Sequence, residues 1–148
     1  MNRDFRTSNN WSFVYAEFLA KVSNVPLVVV CPFLTSFGEM GLNQYRFHVE
    51  NLKVVEKELK GLNIGFVVEP SKCGNATTKQ LLEVCAKYEP IAIVTDFFPL
   101  RLPTSILTDL GNSLDSIKGG GDIPLYQVDS ANIVPCWVAS PKKEVGAR

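Results

Sequence analysis

Charged side chains stand at two places where an α/β protein would form a binding cleft. Arg3, Asp4 and Arg6 come just before a predicted helix. Asp96 and Arg101 lie at the end of an apolar, strand-like run. Open α/β sheets bind ligands beyond the carboxyl ends of their strands, so these side chains could line one cleft. Alternatively, Asp96 caps a backbone turn and pairs with Arg6 or Arg101 to hold two loops together.

The elements that must position these residues follow from apolar periodicity. Four short runs rich in Val, Ile and Leu predict strands covered on both faces: Val25 to Phe33, Ile64 to Glu69, Ile91 to Phe97 and Ile123 to Asp129. Four helical patterns alternate with them. Their apolar stripes run from Trp11 to Val22 behind candidate caps Ser8 to Asn10, from Tyr45 to Leu62, from Leu81 to Tyr88, and from Pro103 to Leu114. The alternation predicts a Rossmann-like α/β fold with a parallel sheet and flanking helices.

Composition limits the classes of function. The 148 residues fit one domain, and 15 basic and 15 acidic residues cancel, so the chain alone should bind DNA poorly. Cys31, Cys73, Cys85 and Cys136 form no Cys-x-x-Cys pair and suit free thiols in a reducing, intracellular compartment, cytoplasm or nucleus. No apolar run is long enough to cross a membrane, and the polar start does not have the pattern of a secretory signal.

The sequence gives little sign of catalysis within the chain. His48, the only histidine, falls in the apolar stripe of the second predicted helix, which favours a packed ring over a catalytic one. It has no Cys or His partner at ligand spacing, so no metal site is predicted. The Gly119 to Gly121 run is interpreted as a plain loop, because no Lys-Ser/Thr follows to make a phosphate loop. We assign no catalytic acid, base or nucleophile.

The segment Gln127 to Ser140 combines the end of the last strand with an apolar and aromatic run from Ile133 to Val138. Exposed, such a run marks a surface for a partner. Its Asn-Ile-Val-Pro-Cys-Trp-Val-Ala-Ser sequence resembles the segment that closes the N-terminal α/β domain of class II cyclobutane-pyrimidine-dimer photolyases. Met1-Asn-Arg-Asp-Phe-Arg6, Asn9-Asn10-Trp11 and Thr95-Asp-Phe-Phe-Pro-Leu-Arg101 are similar to further family segments. Asn9 and Phe98 replace an Asp and a Ser that are usual in the family.

The resemblance carries several expectations about the fold. In the family, an apolar strand runs directly into the segment that Met1 to Arg6 matches, so the first, central strand is expected to be largely missing here. With the family's strand order 3-2-1-4-5, two strand pairs would then meet directly or leave a gap. Low stability is expected unless Met1 to Arg6 substitutes for that strand. Residues 1–140 are predicted to form the α/β domain and residues 141–148 to begin an interdomain linker.

The resemblance also implies a function. The family holds an antenna, a deazaflavin or folate, in the cleft of this domain, and an apolar slot with polar anchors suits such a ring. The candidate contacts are Arg6, Phe33, Tyr45, Asp96, Phe97 and Arg101, with Phe37 and Phe47 as further slot aromatics. FAD and the lesion are bound by a helical domain that normally follows in cis, so DNA is met only through the full-length enzyme. Trp137 is then an interdomain packing residue, and Trp11 is predicted to be helix core.

Three hypotheses remain open from the sequence. In the first, the chain is the N-terminal portion of a light-driven deoxyribodipyrimidine photo-lyase and is inactive alone, so its status as an enzyme is undecided. In the second, it is a free-standing nucleotide- or flavin-binding α/β module. The third is a gene remnant without function. A bound chromophore absorbing near-ultraviolet or blue light would distinguish a binding protein from a remnant.

Overall fold

The computed structural model describes residues 1, 4–35, 41–71, 74–114 and 123–140. Helices and strands alternate within these ranges. They are α1 (Trp11–Ser23), β1 (Val28–Leu34), α2 (Leu42–Gly61), β2 (Gly65–Ser71), α3 (Gly74–Tyr88), β3 (Ile93–Asp96), α4 (Arg101–Leu114), β4 (Leu125–Val128) and α5 (Cys136–Ala139). The predicted α/β class is confirmed, and the short α5 was not predicted. Arg3, Phe37, Cys73, Gly119 to Gly121 and the predicted linker 141–148 lie outside the described residues.

The strands form two separate parallel pairs. β1 pairs with β2, with Val28 opposite Gly65 and Leu34 opposite Ser71. β3 pairs with β4, with Ile93 opposite Leu125. Within the described ranges no strand joins β1 to β3. Two strand pairs are what the resemblance implies for residues that lack the family's first strand.

Helices connect the two pairs and enclose two cores. One core is built by α1, β1 and α2 around Phe13, Val29, Val55 and Leu59, with Met1 and Phe5 packed against it. The other is built by α3 and α4 around Cys85, Leu110 and Leu114, against β3 and β4. The helix α1 contacts β3 and β4 as well as contributing Phe13 to the first core, while α3 contacts both β1 and α4. The two sheets are therefore bridged by α1 and α3.

The boundaries of α1 show why it starts and stops where it does. The side chain of Asn10 is buried, and its Oδ1 accepts a hydrogen bond from the Phe13 N–H at 3.0 Å, which makes it the N-cap. Its Nδ2 donates to the carbonyl oxygens of Asp4 and Arg6 and so fixes the segment before the helix. Asn24 ends the helix in the left-handed conformation at φ 52°.

Two predictions about burial are wrong. Trp11 is 66% exposed, and Val14, Phe18 and Val22 on the same side of α1 are also exposed, so this stripe is not helix core. The strand β4 is not covered on both faces, since Tyr126 and Gln127 are exposed. The apolar residues do form a helix and a strand as predicted, but on α1 and β4 some of their side chains face solvent.

Candidate functional site

Five of the six predicted cleft residues lie at the carboxyl ends of strands or on the elements that follow them, and Arg6 lies before the first helix. Phe33 is near the end of β1, Asp96 ends β3, Phe97 follows it, Arg101 opens α4, Tyr45 lies in the first turns of α2, and Arg6 precedes α1. We call these the six cleft residues. Parallel strands place their carboxyl ends at one edge of a sheet. The topology therefore puts Phe33 and Tyr45 at the carboxyl end of the first strand pair and Asp96, Phe97 and Arg101 at that of the second. We call these two strand ends the rim.

The N-terminal ammonium group of Met1 is buried beside β1. It donates a hydrogen bond to the carbonyl oxygen of Val30 in β1 at 2.6 Å. Burial lowers the pKa of this ammonium, and electrostatic interactions with Cys31 and with Asp96 partly offset the effect. Met1 thus contacts β1 and lies within electrostatic reach of the end of β3.

The β1 side of the rim carries an aromatic pair. The rings of Phe33 and Tyr45 meet edge to face, with centroids 6.1 Å apart and planes at 70°. Both side chains are half-buried, so part of each ring remains accessible. Such a pair can form one wall of a slot for a flat ligand.

The β3 side carries a second aromatic pair. Phe97 and Trp137 meet edge to face, with centroids 5.2 Å apart and planes at 88°. The N–H of Phe97 donates to the carbonyl of Val128 at 2.8 Å, which continues the β3–β4 ladder by one residue. Trp137 is 45% exposed, so the ring both packs within the chain and faces solvent. The sequence did not predict this contact, because 40 positions separate the two residues.

The charged members of the rim differ in their environments. Asp96 is buried, at 3% exposure, whereas Arg6 and Arg101 are exposed. The guanidinium of Arg6 lies 3.6 Å from the carboxylate of Asp4. Asp96 also lies within electrostatic reach of the N-terminal ammonium group of Met1. Of these three charged side chains, only that of Asp96 is buried.

Asp129 organises the segment that carries Trp137. Its Oδ1 accepts hydrogen bonds from the N–H groups of Ala131 and Asn132, and its Oδ2 accepts from the Asn132 side chain at 2.7 Å and from the Cys136 N–H at 3.2 Å. Partial desolvation raises the pKa of Asp129, but the bonds from Asn132, Cys136 and Ala131 outweigh it, so the pKa is lowered overall. Sequence reasoning missed this role, although an Asp two residues before a turn is a signal for it.

His48 is half-buried between aromatic rings. Its imidazole lies edge-on to Phe5, with centroids 5.6 Å apart, and near Phe47 at 6.3 Å. These contacts fit the packed ring that the sequence favours. In the described ranges no cluster of three or more His, Cys, Asp or Glu side chains could hold a metal ion.

Comparison with known proteins identifies the family. The sequence model of the DNA photolyase family matches residues 1–148. The chain belongs to the DNA photolyase family. Its alternation of short parallel strands and helices is that of the α/β domain at the N-terminus of photolyases.

The chain is similar to curated photolyases from distant organisms. It is 36% identical over 149 residues to a deoxyribodipyrimidine photo-lyase of Potorous tridactylus, and 29% identical over 150 residues to that of Arabidopsis thaliana. It is 30% identical over 147 residues to that of Methanothermobacter thermautotrophicus. These alignments cover 99% or more of this chain but only 26%, 28% and 30% of the respective relatives. The chain therefore spans about a quarter to a third of the length of these photolyases.

The cysteines that the structure describes in this photolyase segment fall into two classes. Cys31 and Cys85 are buried free thiols, while Cys136 is an exposed free thiol at the start of α5. Burial raises the pKa of Cys31 to about 11 and also raises that of Cys85. Within the described part of the chain no helix is long and apolar enough to span a membrane.

Proposed function

We propose that the chain is the N-terminal α/β portion of a class II photolyase that repairs cyclobutane pyrimidine dimers in DNA with light. Two findings support this proposal. The family model matches the whole chain, and the chain covers only 26–30% of the length of the relatives. The segment from Ile133 to Ser140 supports the assignment to class II through its resemblance to that group. This portion is inactive alone, because the chemistry of repair belongs to the FAD-binding helical domain.

The role of this portion is to hold an antenna chromophore, a deazaflavin or folate, at the rim. The Phe33–Tyr45 and Phe97–Trp137 pairs offer apolar ring edges, and Asp96 is a buried polar anchor, which suits a flat heterocycle with polar substituents. In this proposal, Arg6 and Arg101 bind its acidic groups. The bound antenna would supply absorption of near-ultraviolet and blue light. These side chains orient it and shield it from water.

The partner is the helical domain in cis, and DNA is bound only through the complete enzyme. Ile133, Val134, Trp137 and Val138 are exposed on the segment that Asp129 holds, which supports docking at this segment. The balanced charge of the chain supports the absence of DNA binding by this portion. Its free thiols support a reducing location, in cytoplasm or nucleus.

Titration with chromophores tests the antenna role. The protein is mixed with a deazaflavin or with methenyltetrahydrofolate, and binding is followed by the quenching of ligand fluorescence. Phe97→Ala should weaken binding by about tenfold, equivalent to ~1.4 kcal/mol. Phe18→Ala, which removes an exposed ring two turns along α1, is the control and should leave affinity unchanged. Equal losses in both variants, or no binding of either chromophore, would contradict the antenna role.

Long-read sequencing of the transcript and the genomic locus tests the wider proposal. An open frame that continues past Arg148 into a helical, photolyase-like region supports it. The product of that frame should then repair thymine dimers under blue light and not in the dark. In-frame stop codons or unrelated sequence at both sides would reject it.

A further inference from the structure

Helix α1 is apolar on two sides. Its inner side places Phe13 in a core, while Trp11, Val14, Phe18 and Val22 recur at intervals of three and four residues on the outer side and are exposed. A helix in a soluble protein normally buries one apolar stripe and covers the rest with polar side chains. Apolar residues on both sides indicate that the outer side of α1 is also packed in the working protein.

The outer side of α1 and the strand β4 together form a groove. Trp11, Val14, Tyr15 and Phe18 line one wall, and Tyr126, Gln127 and Val128 line the other, around a volume of about 560 Å³. We call this the α1–β4 groove. Tyr15 and Tyr126 meet edge to face across its floor, with centroids 5.5 Å apart, so the two walls are fixed relative to each other. None of the seven lining side chains is charged, so an occupant must present apolar groups.

The start of α1 lies against the turn that leads into the segment carrying Trp137. The hydroxyl oxygens of Ser12 and Ser130 lie 3.3 Å apart, which brings the start of α1 against the turn after β4. From that turn the chain continues through the exposed Ile133 and Trp137 to Ser140. The exposed side of α1 and the exposed 133–138 segment thus start from two points that are in contact, Ser12 and Ser130. Together these residues expose more apolar surface than the single, scattered apolar side chains that a monomer ordinarily shows.

We propose that the α1–β4 groove is the second half of the docking surface for the helical domain, and that it receives an uncharged, apolar helix face of that domain. The proposal rests on the proposed function, in which a helical domain follows this portion in the same chain, and this chain covers only 26% of the relative from Potorous tridactylus. A domain tethered next to the groove meets it at a high effective concentration, which favours this occupant over a separate molecule. Interdomain surfaces typically bury at least several hundred Å². The 133–138 segment alone is too short to supply that area.

A chimera tests the proposal. This chain, through Ser140, is joined to the region that follows the matched segment in the photolyase of Potorous tridactylus, its 36% identical relative. Hydroxyl-radical footprinting with mass spectrometry then compares side-chain oxidation in the chimera and in the 148-residue chain. Oxidation of Trp11, Phe18 and Tyr126 should slow by roughly fivefold, since an interface excludes solvent from its centre. Tyr88, an exposed aromatic at the end of α3, should not change.

Matched substitutions sharpen the test. Phe18→Asp places a charge in the groove and should return oxidation of Trp11 and Tyr126 in the chimera to the rate of the chain alone. Val54→Asp, on the exposed side of α2, is the control and should leave their protection intact. Val14→Asp, on the same wall of the groove, replaces Phe18→Asp if that variant does not fold.

The remaining outcomes each decide the proposal. Protection of Trp137 without protection of Trp11, Phe18 and Tyr126 would overturn the groove assignment and leave the docking segment of the proposed function intact. Absence of protection at Trp137 as well would reject docking altogether. Protection of the groove in the 148-residue chain that grows with protein concentration would assign it to a second copy and overturn the proposal.

Discussion

The ring of Trp137 stands nearly perpendicular to the ring of Phe97, with the centroids 5.2 Å apart. This contact joins the last described helix, α5, to the end of β3, where the predicted antenna cleft lies. Trp137 therefore belongs to two surfaces at once. It packs inside the chain through Phe97 and still presents nearly half of its surface to solvent.

Trp137→Ala should have different effects in the isolated chain and in a protein that includes the helical domain. In the isolated chain the edge-to-face contact with Phe97 is lost, and we expect a decrease in unfolding free energy of about 0.5–1.5 kcal/mol. With the helical domain present, loss of buried packing should cost about 3 kcal/mol. Urea denaturation of both proteins checks this, with the exposed Val138→Ala as control. A loss near 3 kcal/mol in the isolated chain would make Trp137 internal core.

Asp129→Asn should loosen the turn that holds the 131–136 segment. The amide can accept at only one oxygen, and its NH₂ group faces the N–H donors that Oδ2 now serves. We expect a loss of about 1–3 kcal/mol in unfolding free energy. Asp109→Asn, on the exposed surface of α4, should change it by less than about 0.5 kcal/mol. Chemical denaturation of the three proteins at pH 7 checks the prediction, and equal stabilities would contradict it.

Asp129 also predicts a dependence of stability on acid. Its pKa is lower in the folded protein than in the unfolded chain, so the unfolded chain binds its proton first as the pH falls. The contribution of Asp129 is complete above pH 3.8, the ordinary pKa of the group, and is lost as the pH falls through the folded value. Unfolding free energies between pH 6 and pH 3 should therefore decline less steeply in Asp129→Asn. Parallel curves for the two proteins would show that the carboxylate is not involved.

The buried ammonium group of Met1 predicts a trend at higher pH. Its pKa is lowered from 8.0, so between the folded value and pH 8.0 the unfolded chain binds more protons and stability rises with pH. Above pH 8.0 this contribution is constant. Urea denaturation at pH values from 6 to 9 measures the slope, and acetylation of the amino group should remove it. A slope that survives acetylation belongs to another group.

The thiols should react in a fixed order. The exposed Cys136 is accessible to iodoacetamide, whereas burial shields Cys31 and Cys85 and raises the pKa of each, which reduces the reactive thiolate. At pH 8, peptide mapping should find Cys136 alkylated at least about tenfold faster than Cys31, since thiolate fraction and access both favour it. In urea the difference should disappear. Rapid labelling of Cys31 in the native protein would show that the first core opens readily.

Much of the fold could be predicted from the sequence, because helical and strand periodicities are local properties. All four predicted strands and helices exist, with boundaries shifted by a few residues, as at β1, which starts at Val28 rather than Val25. Exposure of the outer sides of α1 and β4 could not be predicted. An apolar stripe such as Trp11 to Val22 looks the same whether it faces a core within the chain or the surface of another domain.

The candidate site was predicted in part. The positions of Asp96 and Arg101 at a strand end follow from the order of elements, so topology alone places them on the rim. The Phe97–Trp137 contact and the interaction of Met1 with Asp96 join residues far apart in sequence, and no local pattern encodes them. The turn at Asp129 could have been predicted from local sequence, since Asp-Ser-Ala-Asn is typical of a side-chain-capped turn.

The two cores occupy successive stretches of the chain. The first is assembled from residues between Met1 and Phe66, and the second from residues between Leu81 and Leu125. Each parallel strand pair with its crossover helix can therefore form without waiting for the other, and the first can form while the ribosome is still making the second. Native-state amide exchange would then show two cooperative units that open with separate free energies. The helix α1 belongs to both, since it is made first but finishes packing only when β3 and β4 arrive.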